Sequence, residues 1–189
     1  MDFDTIMSKY YSPKILIGKP MIEDIVKTMI GNNKKVLIFG LGYDSNLYYF
    51  ANNKKNIWFV ETNDEYIKLC KEIDKKCVIK HDFSNITVKS SMTLSDEQIE
   101  KYPIPYILLK NAPYDIILVD APVGSSDNAP GRLLPMYWTK ECLSHSGTIV
   151  YADDTERKLE NYCIKKYFSN YKILMKNTAN AETIKFSIV

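Results

Sequence analysis

The segment Val36-Leu-Ile-Phe-Gly-Leu-Gly-Tyr-Asp-Ser45 narrows the folds open to this chain more than any other. Four apolar residues in a row, between lysines and a glycine, read as a strand buried on both faces, as in a parallel sheet. Glycines at 40 and 42 let the backbone turn sharply and let a ligand approach with no Cβ in the way. A helix predicted over 44–51 would aim its free N–H groups into the same crevice. A second apolar run, Ile57-Trp-Phe-Val60, ends at Glu61, 21 residues after Gly40. A carboxylate at that spacing stands where a Rossmann-like βαβ unit accepts hydrogen bonds from both ribose hydroxyls.

The rest of the chain alternates in the same way. Strands are predicted over 35–39, 56–60, 76–80, 114–119 and 148–151. Helices are predicted over 21–30, 44–51, 64–73, 132–143 and 155–168, the first ended by Gly31-Asn-Asn33. Two closing runs, 171–175 and 183–188, pair as an antiparallel hairpin. Alternating strands and helices imply a doubly wound sheet. The expected class is α/β: a Rossmann-like, seven-stranded, mostly parallel sheet with helices on both faces, the class I S-adenosylmethionine (SAM)-dependent methyltransferase fold. At 189 residues one domain is expected, with 1–33 a lead-in and helix and 34–189 the core. The stretch to Pro20 is poorly patterned. Residues 82–114, with Ser84-Asn85, Pro103 and Pro105, read as partly loop.

The crevice chemistry favours SAM over a dinucleotide. A pyrophosphate would want a third glycine three residues after Gly42, and Ser45 stands there. Asp44 adds negative charge, which a cationic sulfonium and ammonium tolerate. Gly40, Gly42, Tyr43, Asp44, Ser45 and Glu61 are therefore the cofactor candidates. Asp82, after the third strand, is a candidate for the adenine amino group. Asp120, at the end of Tyr114-Asp-Ile-Ile-Leu-Val119, faces the same edge and is a further cofactor candidate.

Methyl transfer to oxygen needs an aligned acceptor and removal of a proton. Asp120, Asp153, Asp154 and Arg132 are the catalytic candidates. Asp120, Asp153 and Asp154 could also share a divalent cation through oxygen ligands, although Asp153-Asp154 equally suits a helix N-cap. The glycine- and proline-punctuated loop from Gly124 to Arg132 follows the reaction-edge strand, where substrate is gripped. Of 25 basic residues only Arg132 and Arg157 are arginine, the better bidentate oxyanion ligand. Tyr43, Tyr137 and Trp138 either line the pocket or belong to the core.

Composition removes other classes. A net charge of +2 gives no case for nucleic acid. No apolar stretch is long enough to span a bilayer, and the acidic start Met-Asp-Phe-Asp lacks a signal-peptide pattern, so a cytoplasmic location is expected. Four scattered cysteines and two histidines make no zinc site. Abundant lysine, asparagine and isoleucine read as AT-rich codon usage, as in a microbe or large virus.

The motifs Phe39-Gly-Leu-Gly-Tyr-Asp-Ser45, Phe59-Val-Glu-Thr62, Tyr114-Asp-Ile-Ile-Leu-Val-Asp-Ala-Pro122, Ala129-Pro-Gly-Arg132 and Asp153-Asp-Thr-Glu-Arg157 occur in this order over roughly residues 35–168. In these the chain resembles the glucuronoxylan 4-O-methyltransferases and their polysaccharide-biosynthesis relatives. The resemblance implies SAM as methyl donor, S-adenosylhomocysteine (SAH) as product, and a sugar hydroxyl of a glycan or nucleotide-sugar as acceptor, typically on a uronic acid. Two positions depart from the family pattern: Tyr43 and Asp153 replace histidines. The family's membrane anchor has no counterpart here, and a xylan acceptor does not follow. Two other readings stay open: a metal-assisted O-methyltransferase for small molecules, and a non-catalytic SAM-fold binding protein. The oligomeric state is open.

Overall fold

Seven strands form one sheet in the order β3-β2-β1-β4-β5-β7-β6. They are β1 (Val36–Phe39), β2 (Ile57–Glu61), β3 (Val78–Lys80), β4 (Ile116–Val119), β5 (Ile149–Ala152), β6 (Ile173–Asn177) and β7 (Thr183–Ser187). The computed structural model describes residues 1–31 and 33–189; Asn32, within the expected helix-ending triplet, lies outside the described residues. β1 to β5 are parallel, and β7 inserts antiparallel between β5 and β6.

Register decides where the site falls. Phe39 pairs with both Val60 and Val119, and Val119 pairs with Ala152. The next residue of each strand therefore reaches the same carboxyl-end edge. Backbone bonds continue one step past the pairs: Gly40 N–H donates to the Val60 carbonyl (2.8 Å), Asp120 to Phe39 (3.0 Å) and Asp153 to Val119 (3.0 Å). Gly40, Glu61, Asp120 and Asp153 form a row across four strands.

Strand alternation splits the core in two. Leu37, Phe39, Ile117 and Val119 face α8 (Leu133–Trp138) and α9 (Lys158–Tyr167). Val36, Ile38, Ile116 and Leu118 face α1 (Phe3–Tyr10), α2 (Lys19–Met29) and α3 (Ser45–Ala51). All eight strand residues are essentially fully buried. At about 25 cal/mol per Å² of apolar surface, these two layers are the main stabilising term.

Four readings change. The lead-in contains a helix, α1: the Asp2 carboxylate caps it by accepting from Thr5 N–H (2.8 Å), and Ile6 and Tyr10, one turn apart, enter the core. The helix expected to reach Ile73 stops at Leu69 as α4 (Asp64–Leu69), because it buries no residue of its own; Cys70 and Ile73 turn inward instead. The expected loop between residues 82 and 114 holds α5 (Val88–Ser91), α6 (Asp96–Ile99) and α7 (Tyr106–Asn111). Capping boxes Thr87/Ser90 and Ser95/Gln98 nucleate the first two, each too short to show helical periodicity. The helix after Arg132 turns π-type over Thr139–Leu143.

Candidate active site

The side expected to hold a cofactor is built from backbone. Gly40 has φ +123°, and a Cβ there would lie 3.3 Å from the Ala121 Cβ, so this position needs glycine. Gly42 has no such requirement: a Cβ would meet only Asp44 Oδ1, at 3.1 Å. The turn is closed by the Ser45 hydroxyl, which accepts from Gly42 N–H (2.8 Å). Glu61 is buried and oriented by three backbone amides: Leu41 N–H on Oε2 (2.8 Å), Thr62 and Asn63 N–H on Oε1 (2.7 Å each). A carboxylate offers about four acceptor positions, which leaves one on Oε2 for a ribose hydroxyl rather than two.

Asp44 is buried beneath the turn. Tyr48 O–H donates to its Oδ2 (3.0 Å), yet burial pushes its carboxyl up to about 6. Tyr43, in contrast, lies exposed at the lip, with Lys14 Nζ 5.0 Å from its ring centre. Asp82 is exposed, and its carboxylate accepts from the Ser84 N–H (2.8 Å) and hydroxyl (2.9 Å), bonds that hold its pKa down. Tyr137 points away from the edge, donating to Glu100 (3.1 Å), and Trp138 packs beneath the edge against Phe39, Phe83 and His81.

The reaction side is built from charge. Arg132 is buried, and its guanidinium spans the ends of β4 and β5. Nη1 donates to the Asp153 carbonyl; Nη2 donates to Asp154 Oδ2 and to Asp120 Oδ1 (3.2 Å). Arg157 Nη1 lies 2.6 Å from the same Asp154 oxygen. Asp154 adopts φ +57°, a left-handed conformation that Asp tolerates better than most residues, and the two arginines hold it there. The Thr183 hydroxyl, from β7, donates to Asp153 Oδ1.

Burial and acidic neighbours raise the proton affinity of this cluster. Asp120 is held well above the usual carboxylate range, first by burial and then by Asp153 and Asp44, while Arg132 opposes the shift. A third of its side chain still reaches solvent. Asp154 is raised for the same first reason. Asp120, Asp153 and Asp154 each offer an oxygen within 4.8 Å of the others. An all-oxygen set suits a hard divalent cation. Arg132 already occupies two of these carboxylates, so a cation would compete with the guanidinium.

Arg157 was visible through the rarity of arginine and at the end of the Asp153–Arg157 motif, whereas Thr183 and Glu160 escaped the sequence reading. Thr183 arrives from a distant strand with no local signal. Glu160, in the first turn of α9, is fully buried with neither carboxylate oxygen hydrogen-bonded, and the Arg132 Nε is likewise buried and unpartnered.

No family model matches the chain. It is 25% identical over 186 residues to glucuronoxylan 4-O-methyltransferase 1 of Arabidopsis thaliana, covering 84% of this chain and 64% of that protein. It is 28% identical over 145 residues to glucuronoxylan 4-O-methyltransferase 3 of the same plant, covering 66% and 48%. This likeness agrees with the motif resemblance, and the chain spans less than two thirds of either relative. Among solved structures it superposes on an SAH-bound Podospora anserina methyltransferase (TM-score 0.54, 12% identity, 99% of this chain and 86% of that one). It also superposes on a Bacillus cereus O-methyltransferase in complex with SAH (0.56, 11%, 99% and 90%). A third match is a methyltransferase of mycinamycin biosynthesis in complex with Mg and SAH (0.57, 15%, 99% and 55%). The fold is the class I SAM-dependent methyltransferase fold. Among the described residues no helix is long and apolar enough to cross a membrane.

Proposed function

We propose that this chain is a SAM-dependent O-methyltransferase acting on a sugar hydroxyl of a glycan or nucleotide-sugar. One observation carries the reading: Asp120, clamped by Arg132, stands in the same row of strand ends as the Gly40 turn and Glu61. The likeness to glucuronoxylan 4-O-methyltransferases supports the sugar acceptor. The residues fit SAM. Gly40 leaves open a turn that a Cβ would crowd, Glu61 keeps one acceptor position, and Asp44 sets an acid where a dinucleotide would place phosphate. SAM, when bound, supplies an electrophilic methyl group on a sulfonium.

The chain's own residues do the rest. Asp120, with its raised proton affinity, is a stronger base than a free aspartate and takes the proton from the acceptor hydroxyl as oxygen attacks. Arg132 fixes its orientation and opposes the rise in proton affinity that burial causes. Holding acceptor and donor in line removes most of the entropic cost of a bimolecular step. Calorimetric titration with SAH, with NAD as control, tests the cofactor: micromolar SAH binding alone is expected, and NAD binding alone refutes the assignment. Asp120→Asn should bind SAH as before and lose about 10²-fold or more in turnover. A second reading, metal assistance, is favoured by the three carboxylate oxygens within 4.8 Å. Asp120, Asp153 and Asp154 would then hold a cation that acidifies the hydroxyl, and turnover would fall with a chelator.

A further inference from the structure

Arg132 and Glu160 each bury a polar group that has no partner, and the two groups are complementary. The guanidinium uses Nη1 and Nη2 on the ends of β4 and β5, while its Nε–H meets no acceptor. Glu160, in the first turn of α9, meets no donor at either carboxylate oxygen. Arg132 is 3% exposed and Glu160 0%, so bulk water does not satisfy them. An unpaired buried donor is costly, and an unpaired buried carboxylate more so. The loop after β4 brings the two together. It closes on itself where Gly131 N–H donates to the Val123 carbonyl (2.9 Å), and Arg132 is the next residue. Glu160 lies against that closure: a Cβ on Gly124 would stand 2.7 Å from its Oε1 and 3.4 Å from the Gly131 Cα. Glycine at 124 leaves the carboxylate its room.

Electrostatics agree with this placement. Burial raises the proton affinity of Glu160, and Arg132 opposes the rise more than any other group. It acts more strongly than the Glu160 N–H and than Arg157, although Arg157 stands only three residues away at the start of the same helix. We propose that Glu160 is a positioning residue: it is the counter-ion of Arg132 on the Nε side and meets it through one buried water, which accepts from Nε–H and donates to the carboxylate. Buried waters with two or more polar partners are a regular part of protein interiors. The guanidinium is then held by carboxylates at both Nη2 and Nε, and it cannot swing away from Asp120 without breaking both sets of bonds. The inference rests on the methyltransferase reading for what Arg132 positions, and not for the pairing itself. The rival is an acid that serves only its helix, since a carboxylate in the first turn of α9 favours the free N–H groups whether or not it meets Arg132.

Nuclear magnetic resonance on the full chain separates the two. The sequence has two arginines, so an arginine Nε–H spectrum holds two signals, and Arg157→Lys leaves that of Arg132 alone. The Arg132 signal should lie downfield and exchange slowly with water. Glu160→Gln keeps the shape and removes the charge. In it the signal should move upfield and exchange about tenfold faster or more, as expected when a charge-assisted hydrogen bond is lost. Gly124→Ala leaves Glu160 in the chain but pushes a methyl group against its carboxylate, and should move the signal in the same direction. An Arg132 signal unmoved in Glu160→Gln or, where that variant does not fold, in Gly124→Ala would assign the acid to its helix alone and overturn the proposal. Calorimetry with SAH on the same samples keeps the two readings apart. A signal that moves as expected in a chain that binds no SAH would leave the pairing standing and remove the methyltransferase reading instead.

Discussion

The two ends of the carboxyl edge hold their acids by opposite means. Glu61 is fixed by three backbone N–H groups, which exist whatever side chains surround them. Asp120 and Asp154 depend on Arg132, with Arg157 assisting at Asp154, and the Asp153 carboxylate accepts from the Thr183 hydroxyl. The first arrangement is written into the fold and suits a cofactor that never changes. The second is written into side chains, so its proton affinity can be tuned, and one substitution can undo it.

The largest expected effect breaks the side-chain end. Arg132→Met keeps the volume but strands the buried acids without their shared cation. Urea denaturation should show a loss of about 3–5 kcal/mol. A loss below about 1 kcal/mol would mean that Arg157 and solvent compensate, and the contrast would fail. Glu61→Gln probes the backbone end. Its amide must turn an NH₂ toward at least one backbone N–H, and stability should fall by about 1–3 kcal/mol, with weaker SAH binding by calorimetry. An unchanged variant would show that the three amides do not need a charge.

Asp44 lies between the two ends, and pH sharpens its part. Its carboxyl is pushed from 3.8 up to about 6 by burial, so the folded state holds a proton that the unfolded chain releases near pH 4. Stability on this account is undiminished below that window. It falls as pH rises from about 4 to about 6 and is flat beyond. Asp44→Asn should remove this slope and raise stability at pH 7 by on the order of 2 kcal/mol, read from melting curves across pH. A slope that persists in the variant would assign it to the Asp120 cluster. The smallest structural effect is expected from Gly42→Val. Its Cβ meets one flexible carboxylate, so stability should move by less than about 1 kcal/mol while SAH affinity falls about tenfold. Unchanged affinity in the folded variant would remove Gly42 from the cofactor site.

The same contrast explains what could be read in advance. β1, β2, β4 and β5 were visible because buried parallel strands are short apolar runs, and Gly40, Glu61 and Asp120 were visible because they end those runs. Gly40 and Gly42 looked equivalent in sequence, yet of the two only Gly40 has a positive φ and lies close to Ala121, a residue 81 positions away that no local pattern brings beside it. The short helices α5 and α6 left only their capping pairs as a trace. Glu160 looked like an ordinary helix-surface acid, and nothing local says that the Gly124 loop covers it. The partnership of Asp153 with Thr183 joins positions thirty residues apart through the sheet, which no local pattern records.

That last contact ties the site to the order in which the chain is made. β7 slots between β5 and β6 and brings Thr183 to Asp153, while the neighbouring Glu182 carbonyl accepts from Thr155 N–H (2.9 Å). On the ribosome, β1 to β5 emerge and can pair before β7 exists. Of the acids at the ends of β4 and β5, Asp153 therefore waits for a late strand, whereas Asp120 and Asp154 have Arg132 as a partner already. A nascent chain halted before residue 183 would hold every candidate cofactor residue but lack the hydroxyl that orients Asp153, so this corner of the edge is the last to be completed.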